Sequence, residues 1–294
     1  MRYDVLGGGA CMNIDKLSVK GSSAWNEDAL VALEDQGVFA VIDGATSLTP
    51  YAGPAGETGG YLASRIVADV LTRKLSGPDA SSVSLTDCLL EANRALRHEM
   101  RRAGIDTSRK EQLWCAGAVV VRIRDTRVEY AQAGDCMLVA MYRDGTFRVV
   151  TRDQLAPIDL ETQTLWAKAA AELGSRDAIW ERVKPQIVRG RRTANTPSGY
   201  AVLNGEEIFA DYVEYGAINR LQLDALLLMT DGLYVPKPPG ERPFDAEESA
   251  KRVASMGLEP YVRWLIRREQ SDPQCLRYPR VKMSDDKTAV WIRF

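Results

Sequence analysis

Val38-Phe39-Ala40-Val41-Ile42-Asp43-Gly44 is a short apolar run that ends on a carboxylate and a glycine. Leu226-Leu227-Leu228-Met229-Thr230-Asp231-Gly232 repeats the arrangement late in the chain. Apolar runs of this length bounded by glycine read as buried strands, each delivering an aspartate at its exit. The glycine that follows marks a point where the backbone turns or approaches something closely.

Outward from these runs the pattern alternates. Asp4–Leu17 and Ala29–Leu33 read as strands, and Gly44–Gly60 as a loop rich in Gly, Pro, Ser and Thr. Leu62, Ile66, Val70 and Leu71 recur at about a helical period within Tyr61–Leu75. Leu85, Leu89, Ala92, Leu96 and Met100 mark a second helix over Leu85–Ala103. Strands are expected at Ala116–Ile123, Arg127–Ala133, Met137–Tyr142 and Thr146–Thr151, the last two joined by the tight-turn signal Arg143-Asp144-Gly145. Residues 152–220 read as an irregular, flap-like insert with one helix, Thr162–Glu172, a basic run Arg189-Gly190-Arg191-Arg192 and a polar loop Thr193–Gly199. Leu223–Thr230 is a strand, Pro236–Pro243 a loop, Ala246–Met256 and Pro260–Glu269 helices, and Lys287–Arg293 a closing strand. A parallel doubly wound sheet would alternate more evenly. The order fits one domain over residues 1–294, an α+β fold: an α-β-β-α sandwich of two antiparallel sheets flanked by helices.

Composition narrows the function. Hydrophobic residues at 45% and charged residues at 27% of 294 positions exclude disordered, collagen-like and coiled-coil readings. Forty acids against 38 bases leave a formal charge of −2, so neither nucleic acid nor an anionic membrane is an expected partner. Cys11, Cys88, Cys115, Cys136 and Cys275 are scattered and form no C-x-x-C pair. That argues against a zinc ribbon or disulfide scaffold and for a reducing, cytoplasmic setting. Met1-Arg2-Tyr3-Asp4-Val5 lacks the apolar run of a signal peptide. A single histidine, His98, stands off the apolar stripe of its helix beside Arg94, Arg97 and Arg101. Triads, Cys-His dyads and multi-histidine metal sites would all have to pass through it, so the chemistry is expected to rest on carboxylates.

The carboxylates gather at strand ends. Asp43 and Asp231 end the two quoted runs, Gly134-Asp135 ends Val128–Ala133, Glu27-Asp28 precedes Ala29–Leu33, and Asp285-Asp286 precedes the last strand. Aspartate is a common turn residue, and any one of these reads equally well as a turn. If the five edges converge, the carboxylates repel one another unless cations neutralise them. Oxygen ligands without histidine or thiolate suit Mg²⁺ or Mn²⁺.

Asn26-Glu27-Asp28-Ala29, Val41-Ile42-Asp43-Gly44, Ala133-Gly134-Asp135, Leu228-Met229-Thr230-Asp231-Gly232 and Asp285-Asp286-Lys287-Thr288 occur in this order. Together they resemble the motifs of the metal-dependent PPM-type (type 2C) protein serine/threonine phosphatases, over about Asp4 to Phe294, in a compact form like that of bacterial members. The resemblance implies two Mg²⁺ or Mn²⁺ ions and a third, weaker one. Asp43 would bridge the two central ions and Gly44 would offer its carbonyl. Asp231 and Asp285 would hold one ion. Glu27 and Asp28 would bind metal-coordinated water or the metal, and Asp135 with Asp231 would serve the third ion. Asp43 and Asp231 are the implied catalytic positions. The implied reaction is hydrolysis of phosphoserine and phosphothreonine in proteins, products of a Ser/Thr kinase, by a metal-bridging hydroxide. Thr151-Arg152-Asp153-Gln154 looks like a remnant of the family's Thr-x-Asp-His segment.

The pattern also breaks. The family's phosphate-gripping arginine falls at Ser23, leaving Ser23 and neighbouring Lys20 as the weaker phosphate candidates. Ala45-Thr46-Ser47-Leu48 replaces a glycine- and histidine-containing stretch, and Trp114-Cys115-Ala116-Gly117-Ala118 a Gly-Thr-Thr stretch. Asp286 stands where asparagine is usual. These departures keep a second reading open, a catalytically degenerate domain that binds a phosphoprotein or other partner. A third, a carboxylate-metal phosphodiesterase or nuclease, is disfavoured by the near-neutral charge. Arg94–Lys110 and Arg189–Arg192 read as solvated faces or structured loops, or as a docking surface for an acidic or phosphorylated partner. Gly7-Gly8-Gly9 lacks the context of a phosphate loop. Cys136, beside Asp135, reads as a packed strand residue.

Overall fold

The computed structural model of the chain describes residues 12–77 and 80–294. Ten strands are described: β1 (Asn13–Val19), β2 (Ala29–Leu33), β3 (Val38–Ala45), β4 (Cys115–Ile123), β5 (Arg127–Ala133), β6 (Met137–Tyr142), β7 (Phe147–Val149), β8 (Glu214–Asn219), β9 (Leu223–Met229) and β10 (Lys287–Arg293). Six α-helices accompany them: α1 (Gly59–Leu75), α2 (Leu85–Arg102), α3 (Ala156–Glu172), α4 (Arg176–Arg192), α5 (Ala246–Met256) and α6 (Leu258–Gln270). The strands form two antiparallel five-stranded sheets, ordered β1-β10-β9-β6-β7 and β2-β3-β4-β5-β8. Residues 4–11 of the expected first strand, with Cys11 and Gly7-Gly8-Gly9, lie outside the described residues.

The period-two alternation of a strand sorts the two apolar runs between cores. Phe39 and Val41 of β3 meet Leu226 and Leu228 of β9 between the sheets, with Val119, Val121, Val290 and Ile292. Val38, Ala40 and Ile42 face the other way, onto α1 and α2. Ala225, Leu227 and Met229 face α5 and α6. Both runs are therefore covered on both faces, which is why they are continuously apolar rather than alternating. The result is the expected α-β-β-α sandwich. Truncating Phe39, fully buried at its centre, to alanine is worth about 3–5 kcal/mol.

Two elements depart from the sequence reading. The stretch expected to be irregular is mostly a helical hairpin, with α3 starting before Thr162 and α4 ending in the basic run. Ser175 caps α4 by accepting the Ala178 N–H, and Ile179 and Val183, one turn apart, pack with Trp166 and Cys275 in a satellite core. Pro185 and nine charged or amide side chains in α4 dilute that signal. β8 was not expected either; it is a sheet edge with Ile218 as its one buried residue. Among the described residues no helix is long and apolar enough to cross a membrane.

Candidate active site

Strand register brings the acidic exits to one edge of the sandwich. Ala29 pairs with Ile42, Asp43 with Gly117, and Ala118 with Ala133, so Asp28, Asp43 and Asp135 leave the same end of one sheet. In the other sheet Met229 pairs with both Met137 and Ala289, placing Asp231 and Asp285 at the matching end. The glycines after the two quoted aspartates permit close backbone approach. A Cβ on Gly44 would lie 2.1 Å from the Gly60 carbonyl oxygen, and one on Gly232 would lie 1.9 Å from that of Asp286. Neither position admits a side chain without moving the backbone.

The carboxylates feel one another. Burial raises the Asp43 carboxyl well above the ordinary range, and the charges of Asp231, Asp28 and Asp135 raise it further. Asp43 and Asp231 lie within hydrogen-bonding reach, and Asp231 is pushed up to about 6 by burial and by Asp285. Asp28 is raised by burial and by Asp285 and Asp231, against the stabilising hydroxyl of Thr230, which donates to its Oδ2 at 2.8 Å. Thr230 is itself fixed by the Thr288 N–H at 3.1 Å, so neighbouring strands hold Asp28 across the gap between sheets. Asp135 is raised by burial and then by Asp231, Asp153 and Asp159.

Two expected ligands are engaged elsewhere. Glu27, 1% exposed, accepts the hydroxyls of Thr46 and Thr58, each at 2.5 Å. Thr46 belongs to the divergent Ala45-Thr46-Ser47-Leu48 stretch, so part of that divergence is a lock on Glu27. Asp285 Oδ1 accepts from the Lys282 ammonium at 2.6 Å. Lys282 is raised by Asp285 and Asp43, which outweigh its burial. Asp286 holds the loop before β2: its oxygens accept the N–H groups of Gly21 and Glu27, both at 2.7 Å. The phosphate candidates do not present charge to this edge. Lys20 is exposed and donates to the Ala24 carbonyl at 3.3 Å, and position 23 is a serine.

The helical hairpin adds residues that the strand-end pattern did not single out. Asp153 caps α3 by accepting the N–H groups of Leu155 and Ala156, and accepts the Tyr234 hydroxyl at 2.9 Å. Asp159, in the first turn of α3, is pushed up to about 8 by burial and by Asp231 and Asp153. Arg191 of α4 sits in the same field, facing Tyr200, Cys115, Asp159 and Asp135. The Thr-x-Asp remnant pointed to Asp153, and Arg191 stood in the basic run read as a solvated or docking face but faces the acids instead; nothing in the spacing singled out Asp159 or Lys282. Cys136 is packed between the sheets, and burial with the charge of Asp43 pushes its thiol far up.

The donor set is one of hard oxygens without histidine or thiolate, and its raised acids mark excess negative charge. That chemistry fits Mg²⁺ or Mn²⁺. Among the described residues no three acidic, His or Cys side chains are already gathered around one point. Glu27 faces its two threonines and Asp285 faces Lys282.

A family model described as Protein phosphatase 2C matches residues 18–272. The fold is similar to that of PppA, a key regulatory component of T6SS in Pseudomonas aeruginosa, at 20% identity and a TM-score of 0.56, covering 96% of this chain and 97% of that one. It is also similar to serine/threonine phosphatase Stp1 from Staphylococcus aureus, at 16% identity and a TM-score of 0.57 over 100% and 99% of the two chains. The catalytic domain of serine threonine protein phosphatase PstP, in complex with 2 manganese ions, matches at 18% identity and 0.58 over 96% and 97%. No curated protein matches the sequence.

Proposed function

The chain belongs to the protein phosphatase 2C family, and from that premise we propose that it is a metal-dependent phosphomonoesterase acting on phosphoserine and phosphothreonine in proteins. The observation that carries the reading is the meeting of Asp28, Asp43, Asp135, Asp231 and Asp285 at one edge of two sheets. Asp43, Asp231, Asp285 and the Gly44 carbonyl would hold two central Mg²⁺ or Mn²⁺ ions, with Glu27 and Asp28 supporting them and Asp135 with Asp231 serving a third. When bound, such ions supply Lewis acidity that offsets phosphoryl charge and acidifies water. The chain's own residues set the stage for that chemistry. Thr230 and Thr288 fix the Asp28 carboxylate, Gly44 and Gly232 let backbone close in, and Lys282 is a positive group already facing the acids. A phosphoprotein made by a Ser/Thr kinase is the proposed substrate, and the cytoplasm the proposed location.

Hydrolysis of an aryl phosphate and a phosphothreonine peptide tests the reading. Turnover with Mn²⁺ that stops on adding chelator, with no activity on a phosphodiester, is the expected result. A second reading has a specific observation behind it: Ser23 offers no cation and Lys20 is turned onto its own loop. A folded protein that binds Mn²⁺ yet turns over neither substrate would favour that phosphoprotein-binding domain.

A further inference from the structure

The basic face of α2 borders a groove of about 400 Å³ whose other wall is the loop at residues 205–210. Arg94, Arg97, His98 and Arg101 recur at helical spacing along one side, over a floor that includes Leu90. Arg94, His98 and Arg101 are exposed, and their side chains make no hydrogen bond or ion pair among the described residues. Like charges one turn apart weaken a helix, so folding alone does not favour this stripe. The opposite wall is built. Asn93 accepts the N–H groups of Asn204 at 3.0 Å and Gly205 at 2.8 Å, and donates to the Glu206 carbonyl. Gly205, at φ +82°, lies so close to α2 that a Cβ would come within 2.9 Å of Arg97 Cβ. Across the groove Arg97 reaches one counter-ion, Glu207, at 3.2 Å, and Glu207 is 88% exposed. An exposed pair of this kind is weak and readily exchanged.

We propose that this groove is a docking site for an acidic peptide segment of a protein partner, with Glu207 standing in for the partner's carboxylates until it arrives. A fixed cationic rim over a partly apolar floor suits a chain that alternates acidic and small apolar side chains. The near-neutral charge of the whole protein makes a local, not a bulk, attraction the basis of recognition. None of its lining residues belongs to the carboxylate edge, so the site stands whether or not that edge is catalytic.

The test is fluorescence anisotropy with a labelled (Glu-Ala)₅ peptide, its Gln-for-Glu counterpart, and a single-stranded oligonucleotide of equal charge. The expected result is binding of the acidic peptide alone, weakening as salt rises. Arg94→Glu with Arg101→Glu should weaken it at least about tenfold, whereas Glu207→Gln should tighten it about two- to fivefold, the range of an exposed pair. Both variants alter exposed side chains, and an unchanged melting curve checks that they fold. Absent binding, equal affinity in the charge-reversed protein, or preference for the oligonucleotide each overturns the proposal.

Discussion

Two clusters of buried charge meet on the segment that leads into β10, and they are built on opposite principles. Beyond Asp285, away from the acidic edge, every charge has a partner. The Lys287 ammonium, 1% exposed, donates to Glu269 at 3.0 Å, to the Ser284 hydroxyl at 3.1 Å and to the Asp285 carbonyl at 2.8 Å. Asp272 accepts the N–H groups of Leu276, Arg277 and Tyr278 and pairs with Arg280 at 2.9 Å. Burial alone would raise Asp272, but those donors outweigh it and hold the carboxyl below its ordinary range. On the other side Asp28 is buried and Asp43, Asp135 and Asp231 are half-buried, and there burial together with the surrounding carboxylates pushes them up instead of down. Buried polar groups kept for structure are satisfied; a buried surplus of one sign marks a site that expects something to bind.

The contrast predicts mutations of opposite sign. Lys287→Met strands Glu269 in the interior and should cost about 3–5 kcal/mol, read as a lower urea midpoint. Adding Mn²⁺ at about 100 times its dissociation constant should stabilise the wild-type protein by about 2.7 kcal/mol, a rise of several degrees in melting temperature. Asp231→Asn removes one repelling charge. It should stabilise the metal-free protein by about 1–3 kcal/mol at neutral pH while abolishing most of the Mn²⁺ response, a stabilisation gained by losing function.

Acidity sharpens the same comparison. Asp231 near 6 and Asp159 near 8 hold protons in the folded state that the unfolded chain has released above about pH 4. The folded state then binds more protons, so this part of the stability is complete below about pH 4 and is lost as pH rises through 6 to 8. Urea midpoints of the metal-free protein should fall over that window, and Mn²⁺ should flatten the slope. The smallest effect concerns the residue between the clusters. Lys282→Met frees Asp285 from a partly exposed pair and should tighten Mn²⁺ binding by no more than about fivefold in a calorimetric titration.

Much of this was legible in the residues. The apolar runs ending at Asp43 and Asp231 announced the three cores they share, because a strand covered on two faces has no room for alternation. The acids at strand ends were legible as a set, and antiparallel register brings them to one edge. What escaped came from elements whose signal is tertiary. β8 is a polar edge strand held by pairing with β5 rather than by burial. α4 shows few apolar positions because it covers only a small satellite core. Asp159 and Lys282 reach the acidic edge from a helix and an irregular segment, and no spacing rule links them to strand ends. Ser23 was a visible gap; that Thr46 locks Glu27 in place was not, since it depends on a side-chain contact between residues nineteen apart.

The most direct test of the central claim is turnover of a phosphothreonine peptide by the wild type and by Asp43→Asn at matched, saturating Mn²⁺. The account predicts metal-dependent hydrolysis by the wild type and a loss of at least about a hundredfold in the variant, with the variant's melting temperature in the absence of metal equal or higher. Undiminished hydrolysis by a folded Asp43→Asn protein would contradict it, because the surplus of buried carboxylate would then have no part in the chemistry.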